Sequence, residues 1–143
     1  MTNSLWPKDV ERQINNFETL KKELDFGRVF KNGKNIKSAA GYVKATYLFV
    51  DNGENRKVKT AIAIPSKSGN SVWRNRFKRL IRESVRREAK KITEIISKKD
   101  LCLLIVFSPH RTNQRNKKKL FLYEVHSGVI DILKSISSEN SFK

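Results

Sequence analysis

Between Asn70 and Lys91 the apolar positions Trp73, Phe77, Leu80, Ile81 and Val85, with Ser84 among them, recur at intervals of three and four. That spacing predicts one helix with an apolar stripe on the side a core would cover. Arg74, Asn75, Lys78, Arg79, Arg82, Arg86 and Lys90 project from the opposite side. Asn70 or Ser71 is placed to cap its start, and 90–99 should contain its end. Upstream, Trp6, Val10, Ile14 and Phe17 lie at helical spacing within 5–24 and predict a short N-terminal helix or a partly ordered extension. Phe26, Val29 and Phe30 fall at i, i+3 and i+4, predicting a second short helix over 25–31 that stops ahead of Gly33.

Residues 42–50 and 57–65 turn β-branched and aromatic around the turn signal DNGEN. They predict two antiparallel strands joined as a hairpin. The unbroken apolar run 101–107 reads as a strand covered on both faces. Leu120, Val125, Val129, Ile132, Leu133 and Ile136 predict a closing helix. The order of elements gives an α/β (α+β) fold, a two-layer sandwich of a small, mostly antiparallel sheet packed by helices. A length of 143 residues suits a single domain, expected over 19–137 between an extension at 1–18 and a frayed tail at 138–143.

Charge changes the picture more than any other property. The formal net charge is +17. Residues 70–91 alone carry nine Lys and Arg against Glu83 and Glu88, too few acids to settle that helix by internal ion pairs. Self-repulsion of this size points to a phosphate-bearing partner. No apolar run approaches the ~20 residues of a spanning helix and no signal peptide is evident, so a soluble, cytoplasmic protein is expected. The basic run HRTNQRNKKK at 110–119 is an exposed loop, either solvated or touching RNA.

Protein-borne catalysis has little to stand on. His110 and His126 lack ligand-spaced partners, and Cys102 sits in an apolar run as inert packing. Glu83 and Glu88 are roughly 140° apart around a helix, which does not clasp a metal. SKSGNS lacks the spacing and closing residues of a phosphate-binding loop. A DNA-reading helix would need a helix-turn-helix partner that is missing.

The segment WRNRFKRLIRES resembles the protein subunit of bacterial ribonuclease P, a family marked by an Arg-Asn-Arg motif opening its long helix, here Arg74, Asn75 and Arg76. Lys67, Gly69, Lys78, Arg79, Arg82, Phe26, Phe30, Gly33 and Asp100 extend the likeness over about residues 20–135. The resemblance implies an RNA-catalysed endonuclease that removes the 5′ leader of precursor tRNA, with ribonuclease P RNA and precursor tRNA as partners, no obligate protein partner and no catalytic or metal-ligating residue in the protein. Magnesium would serve the holoenzyme, mainly bound to RNA. A left-handed βαβ crossover is implied, as is a leader-binding cleft lined by Phe26, Phe30, Asn75, Lys78 and Arg82. Lys67, Arg74, Arg76, Arg79 and Arg86 would contact the catalytic RNA. Tyr42 and Tyr47 are candidates for a further cleft ring on the first long strand. Spacing alone would favour core packing for Phe26 and Phe30, and a structural RNA-binding protein of the ribosome-assembly type is the alternative function.

Overall fold

β5 (Cys102–Pro109) is buried over six successive residues, and a strand apolar on both faces belongs in the middle of its sheet. The computed structural model describes residues 17–20, 23–39, 41–51 and 57–138. Around β5 lie β1 (Phe17–Thr19), α1 (Glu23–Asn32), β2 (Lys34–Lys37), β3 (Val43–Val50), β4 (Val58–Ile62), α2 (Ser71–Arg87), α3 (Ala89–Lys99) and α4 (Leu122–Ser138). The strand order is β1-β4-β5-β3-β2. β5 runs antiparallel to β3, with Val43 opposite Pro109 and Val50 opposite Cys102, and parallel to β4. β2 pairs antiparallel with β3, and β1 parallel with β4.

The mixed α/β sandwich is as expected, but the hairpin is not. β3 and β4 run in opposite directions without touching as neighbours, because β5 is inserted between them. β3 and β4 each keep partly exposed positions, so the wholly apolar β5 takes the place where both faces are covered. β4 reaches its parallel neighbour β5 through α2 and α3, the crossover connection that the resemblance implies. Two further elements differ from expectation. Phe17 and Glu18, assigned to a helix or an extension, belong to β1. The polar strand β2, KNIK, carries only one apolar residue and gave no strand signal. The rest of the N-terminal extension and most of the C-terminal tail lie outside the described residues.

Two apolar clusters sit on opposite faces of the sheet. On one face Val43, Ala45, Tyr47, Leu103, Ile105 and Phe107 meet the stripes of α2, α3 and α4. On the other, Leu104 and Val106 pack with Leu20 and Val29 beneath α1. The α2 stripe is the expected one, with Trp73, Phe77, Leu80, Ile81 and Ser84 buried. Full burial of a ring such as Phe77 contributes about 1.5–3 kcal/mol, which fixes the rotation of the helix about its axis. The single long helix expected here breaks at Glu88 (φ −104°, ψ 16°), and α3 continues with Ala89, Ile92, Ile95 and Ile96 buried. At the break the Glu88 carboxylate meets His126 Nε2 of α4 at 2.9 Å.

Candidate nucleic-acid interface

Because the stripe of α2 faces the sheet, its cations face away from it. Asn70 caps the helix, its Oδ1 accepting the Trp73 backbone N–H at 2.9 Å. Trp73 is buried, stacks on Phe77 at 5.9 Å and donates Nε1–H to the Lys117 carbonyl at 2.9 Å, so it is a packing residue. Asn75, Arg79 and Arg82 are exposed, and Lys78 is half-buried. Arg74 donates from Nε to the Gly69 carbonyl at 3.0 Å, and Arg76 from Nε to the Leu120 carbonyl at 2.9 Å. Each guanidinium is thereby fixed in place while its terminal amino groups remain as a fork suited to phosphate. Glu83 does more than the charge count suggested. It binds Arg86 through both carboxylate oxygens and Arg87 at 3.0 Å, and the Arg86 hydrogen bond chiefly holds its carboxyl below the usual range. Arg86 therefore carries an internal partner that Arg79 and Arg82 do not share.

The basic loop after β5 is docked on the start of α2. Gln114 donates its backbone N–H to the Ser68 carbonyl at 2.7 Å, and its Oε1 accepts the Asn70 backbone N–H at 2.8 Å. Within the loop Asn113 and Asn116 exchange side-chain to backbone bonds, both 2.9 Å, and Asn116 Nδ2 reaches the Arg111 carbonyl at 3.2 Å. These contacts enclose an open cleft of about 790 Å³. Lys67, Arg111, Arg115 and Lys118 line it, with no carboxylate among the described residues of its wall. Arg115 and Lys118 were not singled out from sequence; the density of cations in HRTNQRNKKK was the available signal, but the fold-back onto Lys67 was not readable.

A second basic region lies on the α1 face of the sheet. Phe26 and Phe30 are 6.3 Å apart with ring planes 15° from parallel. Phe26 is half-buried against Leu20, Val29, Leu104 and Val106, whereas Phe30 is 57% exposed. One register step beyond Thr46 and Val106 on the same face, Lys44 stands opposite Ser108 and Lys37. Half-buried His110 sits close by. Burial first, then Lys37, Arg111 and Lys44, push its imidazole below the ordinary histidine range. Lys44, not a ring, thus occupies this strand face; Tyr47 is 3% exposed in the opposite core, and Tyr42 lies 5.5 Å from the Lys117 ammonium.

Asn75, Lys78 and Arg82, at intervals of three and four, share one outward sector of α2. Phe26 and Phe30 are on α1, against the other face of the sheet, so the residues expected in one cleft fall into two groups on separate layers. Among the described residues no three His, Cys, Asp or Glu side chains converge to hold a metal ion. No helix of the described chain is long and apolar enough to cross a membrane.

The ribonuclease P family model matches residues 14–131. The chain belongs to the ribonuclease P protein family. A ribonuclease P protein component from Clostridium novyi is 33% identical over 118 residues, spanning 82% of this chain and 91% of that protein. One from Macrococcus caseolyticus is 31% identical over 112 residues, spanning 76% and 90%. In fold, the RNase P protein of Thermotoga maritima superposes with a TM-score of 0.65 at 22% identity, covering 82% of this chain and 96% of that one. The Staphylococcus aureus RNase P protein gives 0.60 at 24% identity, covering 81% and 92%. Within this ribonuclease P family fold, the Arg74-Asn75-Arg76 motif stands at the N-terminus of α2, where two of its three side chains are anchored to backbone carbonyls.

Proposed function

We propose that this chain is the protein subunit of ribonuclease P, binding the catalytic RNA and the 5′ leader of precursor tRNA so that the leader is removed and the mature tRNA 5′ end is formed. The observation that carries this reading is the cationic surface that joins the Lys67, Arg111, Arg115 and Lys118 cleft to Arg74 and Arg76 through the bond between Gln114 and Asn70. Four cations around one open hollow, with no acid among them, suit the phosphates of a folded RNA, where shape and backbone are read. Lys67, Arg74, Arg76 and Arg79 are assigned to that RNA, joined by Arg111, Arg115 and Lys118; Arg86 contributes charge from within its pair with Glu83.

The leader is assigned to two stations. Phe30 offers an exposed ring beside Phe26, and aromatic faces stack on bases without demanding a sequence. Asn75, Lys78 and Arg82 supply a polar, cationic track for its phosphates. The chemistry belongs to the RNA, and magnesium to the RNA and substrate; the protein contributes affinity and charge neutralisation, in the cytoplasm.

The test is cleavage of a leader-bearing precursor tRNA at low magnesium by the source organism's ribonuclease P RNA, with and without this protein. Protein-dependent cleavage at the mature 5′ end is expected. Salt-sensitive RNA binding with no stimulation of cleavage would replace this reading with a structural RNA-binding role, and cleavage by the protein alone would move the chemistry into the protein.

A further inference from the structure

Phe121 and Tyr123, at the start of α4, stack with centroids 5.8 Å apart and planes 24° from parallel. They are nevertheless 43% and 71% exposed. The pair is braced from its protein side. Buried Glu124 accepts the Phe121 backbone N–H at 3.2 Å and binds the Lys117 ammonium at 2.7 Å, and that ammonium lies 5.7 Å from the Phe121 ring centre. The Glu124 carboxylate is therefore neutralised, while Lys118 and Lys119 stay exposed. The Nε bond of Arg76 to the Leu120 carbonyl anchors a guanidinium one residue before Phe121.

We infer that Phe121 and Tyr123 form a stacking platform for an unpaired base of the RNA bound by the basic surface. This deepens the proposed function and rests on it. A rigid pair of rings with open faces, flanked by cations, is the combination by which single-stranded nucleic acid is held: stacking takes the base, and the charges take the phosphates on either side. A chain of net charge +17 repels a second copy of itself, and the cations around the rings favour a polyanion over an apolar protein partner. The platform lies beyond the Lys117 carbonyl that accepts from Trp73, so it extends the α2 interface instead of belonging to the α1 face.

Stacking and phosphate contacts respond differently to salt. Losing a phosphate contact lowers the slope of log affinity against log salt, because fewer counterions are released; losing a stack lowers affinity at every salt and leaves the slope alone. Binding of the ribonuclease P RNA is therefore measured across a salt series for the wild type, for Phe121→Ala with Tyr123→Ala, and for Tyr123→Leu, which retains apolar bulk without a ring. The alanine pair should bind about tenfold more weakly with an unchanged slope, Tyr123→Leu should lose part of that affinity, and Tyr123→Trp should retain it. Chemical probing should show one unpaired base protected by the wild type and reactive with the alanine pair. If the alanine pair unfolds, Tyr123→Leu against Tyr123→Trp decides. Equal affinity for those two variants, a lowered slope, or a wild-type dimer that the Tyr123 variants abolish overturns the platform while leaving the parent function standing. A wild type that does not bind the RNA overturns both.

Discussion

The side-chain oxygen of Gln114 accepts the backbone N–H of Asn70, the residue that caps the basic helix. One side chain thus ties the loop that follows β5 to the first turn of α2, at the end of the sheet where the parallel strands β4 and β5 both finish. Gln114→Ala should lower folding stability by about 0.5–1.5 kcal/mol, the net worth of one hydrogen bond, and should weaken RNA binding because Arg111, Arg115 and Lys118 lose their fixed approach to Lys67. Urea unfolding and RNA titration on the same protein check this; an unchanged affinity in a measurably less stable variant would show that the loop has no part in RNA binding.

The cationic cleft makes a separate demand on salt dependence. Lys67→Ala, Arg115→Ala and Lys118→Ala should each reduce the slope of log affinity against log salt by about one, with folding unaffected because the three side chains are exposed. Slopes that stay at the wild-type value in all three would remove the cleft from the RNA interface.

Phe26 and Phe30 should behave as different residues despite their stacking. Phe30→Ala removes an exposed ring and is expected to weaken precursor tRNA more than mature tRNA at little cost to folding. Phe26→Ala opens the packing beneath α1 and should cost stability as well, up to about 3 kcal/mol for a half-buried ring. Lys78→Ala with Arg82→Ala should share the precursor selectivity of Phe30→Ala. Equal losses on precursor and mature tRNA would take these residues out of the leader path.

Legibility followed periodicity. The stripe from Trp73 to Ser84 and the continuous apolar run of β5 were readable because burial imposes a period on the sequence, and both stand where the pattern put them. Pairing was less readable, since DNGEN between two apolar segments carries a hairpin signal whether or not a later strand enters between them. Arg74 and Arg76 could be named from the motif, but their carbonyl anchors on Gly69 and Leu120 depend on contacts across the fold. The loop cations had no period at all, and the bonds of Gln114 to Ser68 and Asn70 and of Trp73 to the Lys117 carbonyl reveal which earlier residues they join.

His110 gives a prediction in pH. Its pKa lies below the ordinary 6.5 in the folded protein, so the unfolded chain binds more protons as pH falls through that region, and folding stability should decline there. Bound phosphate reverses the balance by favouring imidazolium beside Lys37, Lys44 and Arg111. RNA affinity should therefore rise as pH drops below 6.5, and His110→Gln should flatten that rise. Imidazole resonances followed by NMR should move to a higher titration midpoint when RNA is added; a midpoint that does not move would separate His110 from the RNA.

Gly33 tests the seat of α1. A Cβ there would lie 2.3 Å from the Val29 carbonyl oxygen and 2.8 Å from that of Tyr47, so Gly33→Ala should force the end of α1 away from β3 at a cost of about 1–3 kcal/mol. Thermal or urea unfolding reads this directly. Wild-type stability in that variant would mean that the helix end has room to shift.

The position of β5 has a consequence for how the chain reaches its fold. The middle strand of the sheet is the last of the five to be synthesised, and each neighbour pairs with it across at least 45 positions of the chain. β3 and β4 emerge from the ribosome first and wait with unpaired edges until residues 102–109 arrive, a long-range closure of the kind that slows folding. Through that interval the Arg-Asn-Arg helix has no completed sheet to rest on, so a correctly formed RNA-binding surface also reports that the chain has closed around its final strand.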